Sequence, residues 1–135
     1  MKKWILLTAF AGIMQWSTAQ LSISTNLRQD AIWDEDLQDW EVLATDENVT
    51  FFEFNRELTL FKHTTTTITS TYNISDWEYD STLVKYTMVV TSDAGNTYDV
   101  VIDGINNYIG FFYYRDLDYI LVHHAIKDTW FREEE

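Results

Sequence analysis

Residues 97–127 read TYDVVIDGINNYIGFFYYRDLDYILVHHAIK. Three runs rich in β-branched and aromatic residues are separated by two compact turns, Asp103-Gly104-Ile105-Asn106-Asn107 and Asp116-Leu117-Asp118. β-Branched and aromatic side chains suit a pleated, half-buried surface. Gly, Asn and Asp supply the backbone freedom and local hydrogen bonds that turns need. Connections this short pair neighbouring strands antiparallel, because a parallel pair needs a crossover of a dozen or more residues. The stretch therefore reads as three consecutive strands of a meander.

Its last two strands are apolar on both faces. Tyr108, Phe112 and Tyr114 occupy one face of the middle run, and Ile109, Phe111 and Tyr113 the other. In the final run Ile120, Val122 and Ile126 oppose Tyr119, Leu121 and Ala125. One face of each must be covered. Either the N-terminal segment or residues 75–82 lie over it, or it is an exposed aromatic patch of the kind that marks a ligand or partner site. Phe111, Tyr113, Tyr119 and Leu121 are the candidate ligand or partner face. Phe112 is expected in the core. Gly110 lets a bulky neighbour lie against the backbone.

Working outward, the same pattern recurs. Residues 83–91 place Val84, Tyr86, Met88 and Val90 on one face, and Gly95 with Asn96 marks the hairpin that follows. Residues 49–55 alternate, with Phe52 and Phe54 opposite Phe51 and Glu53. Residues 58–63 and the threonine-rich 64–74 read as two further strands, followed by an acidic loop over 75–82. Residues 40–45 form a strand whose Trp40 faces Trp33 across an acidic turn, the mark of a cross-strand pair. Both tryptophans read as core or barrel-plug residues. Residues 21–33 are either the first strand or, over 25–33, a helix. The tail from residue 128 is expected to fray.

The chain of 135 residues begins with the basic Lys2-Lys3, an eleven-residue apolar run from Trp4 to Met14, and the small-residue site Ser17-Thr18-Ala19. This is the grammar of a signal peptide over residues 1–19. The run falls well short of the ~20 residues a spanning helix needs. Residues 20–135 are then one all-β domain, secreted or periplasmic, with no membrane insertion after the leader is removed. Without cysteine it has no disulfide to support its core.

The fold class is all-β: an antiparallel meander of 8–9 strands, closed into an up-and-down barrel so that no long edge stays open. Trp40-Glu41-Val42-Leu43-Ala44 is similar to the tryptophan-bearing opening strand of the lipocalin-like (calycin) barrels. In that group a basic residue near the last strand packs on the tryptophan, a place that Lys127 or Arg132 fills by resemblance. The glycine that the group carries two positions before the tryptophan is Gln38 here. The chain also resembles small exported proteins of Bacteroidetes-type bacteria. Neither resemblance implies a catalytic residue or a particular ligand.

Composition excludes several classes. There are 9 Lys and Arg against 22 Asp and Glu, a net −13, and removal of Lys2 and Lys3 takes it to −15. Nucleic acid is excluded as a partner, since phosphate binding needs a basic surface. Thiolate chemistry, the G-x-S-x-G elbow and phosphate-cradling glycine loops are absent from the sequence. His123 and His124 are adjacent and point to opposite faces, so they cannot share a metal; a site with His63 needs strands 58–63 and 118–127 close together. Asp34, Asp36 and Asp39 lack the glycine and distal glutamate of a calcium loop. No catalytic residue, metal or cofactor is expected. The expected function is non-enzymatic binding of a small apolar ligand or a protein partner at the barrel mouth or aromatic face. The alternative is a structural or inhibitory envelope protein with a filled core, acting through its acidic surface.

Overall fold

The computed structural model describes residues 2–4 and 19–133. Of the expected leader, Lys2–Trp4 and Ala19 are described, as strand, and residues 5–18 lie outside the described residues. Ten strands follow in order: β1 (Lys2–Trp4), β2 (Ala19–Asp34), β3 (Asp39–Asp46), β4 (Thr50–Phe54), β5 (Leu60–Thr64), β6 (Thr69–Asp80), β7 (Lys85–Ser92), β8 (Thr97–Asp103), β9 (Tyr108–Arg115) and β10 (Asp118–Glu133). Each neighbouring pair is antiparallel. Pairing of β10 with β2 closes β2 and β4–β10 into an eight-stranded barrel. β3 and β1 lie outside that ring, each against one end of a long strand.

The two sixteen-residue strands explain this layout. The first half of β2 pairs with β4, from Leu21↔Phe54 to Thr25↔Thr50. Its second half pairs with β3, from Arg28↔Asp46 to Asp34↔Asp39. β10 runs beside the whole of β2, from Ile120↔Ile32 to Glu133↔Ala19. A closed sheet must bend, and the chain has only four glycines and no proline. Bulges provide the bending instead. Within the ring they occur between Ile74 and Asp76 in β6 and around Ile126 in β10.

The alternation read from the sequence holds in β4 and β7. Phe52 and Phe54 point inward opposite Phe51 and Glu53. Tyr86, Met88 and Val90 enter the core. The barrel is filled by large side chains, notably Phe52, Phe54, Phe61, Tyr86 and Phe111. Gly95 takes φ 92° in the β7–β8 turn as its hairpin requires.

Of the two readings of residues 21–33, the strand is the one that forms, because β10 pairs with it from Leu21 to Ile32. Three expectations are corrected. Residues 75–80 continue β6 against β7 rather than forming a loop. Residues 128–133 do not fray; they complete the closure with β2. Phe112 is not core: it is half-buried on the outer wall, while Phe111 is 5% exposed in the interior.

Candidate functional site at the aromatic rim

The β9–β10 hairpin sets the geometry. Its turn holds two residues, Asp116 and Leu117, with Asp116 at φ 58° and Arg115 paired to Asp118. Tyr114 therefore lies opposite Tyr119, and Phe112 opposite Leu121. A three-residue turn over 116–118 would shift this register by one. Because side chains alternate, a one-residue slip moves a whole set of side chains to the other face. The four candidate residues are divided accordingly. Phe111 packs inside the barrel against Phe52, Phe61, Tyr72 and Tyr98. Tyr113 is on the same inward side, meeting Tyr98 edge to face at 5.2 Å. Tyr119 and Leu121 lie outside.

The outer face they belong to is built by two hairpins. Trp33 and Trp40 are directly paired across β2 and β3, with ring centroids 5.3 Å apart and planes at 73°. This is the cross-strand pair expected from the sequence, but it sits on the outer wall and not in the core. Trp40 reaches Tyr119 at 5.7 Å and Phe112 at 6.1 Å. Tyr119 meets Tyr114 at 4.7 Å. A continuous run of aromatic rings thus crosses from β3 to β9. Beneath it Ala31 and Leu121 are buried although they point away from the lumen. Cover for the second apolar face comes from the β2–β3 hairpin; residues 75–80 are occupied in the wall of the barrel.

The cover is incomplete at the rim. Tyr114 is 70% exposed and Leu117 95% exposed. A groove of about 740 Å³ opens there, between Trp33, Trp40, Tyr114 and Tyr119, with Asp34, Glu35, Glu41 and Asp118 around it. Two of these carboxylates serve the hairpin. Asp34 accepts the Asp36 and Leu37 amides, and Glu35 accepts Trp33 Nε1–H at 3.0 Å. Glu41 and Asp118 are engaged by no described side chain. Burial first, then Asp99 and Tyr114, hold the Tyr119 phenol above its ordinary range, so it stays a neutral hydroxyl. A second groove of about 590 Å³ on the other side of Tyr114 runs between Asn96, Asp99, Phe112 and Arg115.

No family model, no curated protein and no solved structure matches this chain.

The backbone register places the lysine and arginine suggested as partners for Trp40 well along β10 from it. Its ring neighbours are Trp33, Phe112 and Tyr119. The register puts Arg132 opposite Gln20, at the far end of β2, and Lys127 is exposed on β10.

A polar cluster lies inside the barrel. His63 Nε2 is 3.1 Å from Thr50 Oγ1, which is 2.7 Å from Thr25 Oγ1. His63 stacks on Phe52, and His124 approaches both rings edge-on. Burial first, then the Arg28 guanidinium, takes the His63 pKa down to about 4. Burial, with His63, Arg28 and His123 adding to it, takes His124 down to about 3. Both imidazoles are neutral near pH 7. Among the described residues no group of three or more His, Cys, Asp or Glu could hold a metal.

The sequence reading missed Trp33, Trp40 and Tyr114 as site residues. Its usable signal was the parity of Phe112 and Tyr114 with Tyr119 and Leu121, which depends on counting the turn as two residues.

Proposed function

We propose that this is an exported, non-enzymatic binding protein of lipocalin-like design, which holds its ligand on the outer wall at the rim. The observation that carries this reading is the aromatic run Trp33–Trp40–Tyr119–Tyr114, half-buried over its first three rings and open to solvent at Tyr114, beside a groove on an otherwise acidic protein. Exposed aromatic surface is costly to keep on a small soluble protein, and large aromatic side chains supply most of the energy at recognition sites. The lumen is a weaker candidate because large rings fill it. The ligand is a small apolar molecule or the apolar surface of a protein partner.

Nile red, a neutral apolar dye, tests the location. Its fluorescence is expected to rise on the wild-type protein, with binding weakened about tenfold or more in Trp40→Ala and Tyr119→Ala, as for loss of one anchoring ring. Unchanged binding in both variants, with loss in Tyr98→Ala, would move the site into the lumen and overturn the reading. Native mass spectrometry of protein purified from its own host then identifies what occupies the groove.

The inhibitory alternative is favoured by one observation. Residues 29–55 carry nine carboxylates and no lysine or arginine. That segment includes all of β3.

A further inference from the structure

Among the described residues β3 has a strand neighbour on one side only. Seven of its eight residues pair with β2, Leu43 being bulged out, and no described strand pairs with its other side. All but Trp40 are exposed, including the apolar Val42 and Leu43. An open edge presents backbone N–H and C=O groups that another chain can continue. Proteins commonly protect such edges with lysine or proline, and β3 contains neither. Its protection is a bulge at Leu43, between the Ala31↔Val42 and Asp30↔Ala44 pairs, together with Asp39, Glu41 and Asp46.

Carboxylates protect selectively. A second copy of β3 would bring the same three acids against them, and like charges opposed across strands are destabilising. Arg28 stands opposite Asp46, bonded to Asp30, whereas Asp39 and Glu41 face Asp34 and Ile32 and have no cation across from them on β2. A basic strand meets the opposite situation. Trp40 and Val42 lie on the outer face next to the aromatic groove, whereas Asp39 and Glu41 alternate with them. An added strand would therefore set its apolar residues beside Trp40 and Val42, and its cations beside Asp39 and Glu41.

We propose that the open edge of β3 is a docking edge for an extended segment of a partner protein in which lysine or arginine alternates with apolar residues. The segment adds a strand to the sheet. Backbone hydrogen bonds hold it, and alternate side chains select it. This inference rests on the strand edge and does not require the groove to be filled.

The test uses the full chain and three synthetic peptides matched to the eight residues of β3. One alternates Lys with Val, one alternates Glu with Val, and one is the Lys peptide interrupted by proline. Hydrogen exchange is read only at those 39–46 amides that point away from β2 to the open edge, since the others are already bonded within the β2–β3 ladder. The Lys peptide is expected to slow it about tenfold or more, and the other two to leave it unchanged. Asp39→Lys with Glu41→Lys is expected to reverse the preference between the Lys and Glu peptides. Equal protection by both charged peptides overturns the proposal. So does protection already present in dilute protein alone, or protection that rises with protein concentration, because the chain itself or a second copy then holds the edge. Binding of the Lys peptide without protection of 39–46 places it in the groove, which sinks the edge inference and leaves the groove reading intact. Protection of 39–46 that is unaffected by Tyr119→Ala, while Nile red binding is also unaffected, does the reverse.

Discussion

The imidazoles of His63 and His124 meet edge to face inside the barrel, with centroids 5.1 Å apart and planes at 76°. They come from strands far apart in the chain, and closure of the sheet brings them together. Each is buried and neutral, and each depresses proton uptake by burial before any charge effect.

The pair makes stability depend on pH. Unfolded, each histidine titrates near 6.5; folded, near 4 for His63 and 3 for His124. The unfolded chain thus binds protons first as pH falls. The contribution of the neutral rings is complete above pH 6.5 and is lost progressively towards pH 4 and below. The loss is a few kcal/mol, from about 1.4 kcal/mol for each pKa unit. The melting temperature should fall between pH 6.5 and 4.5, above the range where most carboxylates titrate. His124→Leu should flatten that slope. A wild-type melting temperature constant across this window would refute the assignment.

Phe111 and Phe112 distinguish the inside of the wall from the outside. Phe111 packs against four aromatic residues in the core. Phe111→Ala should cost about 3–5 kcal/mol, the range for emptying a large buried site. Phe112→Ala, on the half-covered outer face, should cost about half as much or less, since part of its surface already meets water. Urea unfolding of the two variants measures the difference. A larger loss for Phe112 would invert the face assignment.

Gly110 is needed for close packing and not for an unusual backbone angle. A Cβ there would lie 3.0 Å from Phe112, 3.1 Å from Leu121 and 3.1 Å from Tyr108, all side-chain atoms. Gly110→Ala should destabilise by about 1–3 kcal/mol, as overpacking does. It should also disturb the stacking of Tyr108 on His123, now at 4.7 Å. A variant as stable as the wild type would mean that the outer-wall rings are loosely held.

Asp103 organises the β8–β9 turn. Its carboxylate accepts the Ile105 amide at 3.0 Å, the Asn106 amide at 2.8 Å and Asn106 Nδ2–H at 3.0 Å, with Lys85 Nζ 3.9 Å away. Burial opposes ionisation, but these hydrogen bonds and Lys85 outweigh it and hold the pKa below its ordinary value of 3.8. Its contribution is therefore present above pH 3.8 and disappears below it as the folded carboxyl takes its proton. Asp103→Ala should lose about 1–3 kcal/mol, the penalty for leaving buried donors unmet. Asp103→Asn should lose less. Equal losses in both would show that the turn does not use both carboxylate oxygens.

Much of the wall was legible because antiparallel strands alternate with a period of two. Phe52, Phe54, Tyr86, Met88 and Val90 could be assigned to the interior from spacing alone. Short polar turns implied nearest-neighbour pairing, and a meander of that many strands closes. The division of Phe111 and Tyr113 from Tyr119 and Leu121 was less accessible. It hinges on whether Asp118 belongs to the turn or the strand, and local propensity does not decide between two residues and three.

The amino-acid sequence by itself determined an acidic, all-β, antiparallel chain with a dense aromatic run near its C-terminal end. Only the tertiary structure decided which aromatic rings share a face. It also decided that His63 meets His124, that Trp33 and Trp40 lie outside the barrel, and that β3 keeps an open edge. The physical reason is that strand period and turn chemistry are local, whereas register and closure are set by pairings between strands remote in sequence. Ile120 beside Ile32 closes the sheet, and that pairing leaves no local trace in either strand.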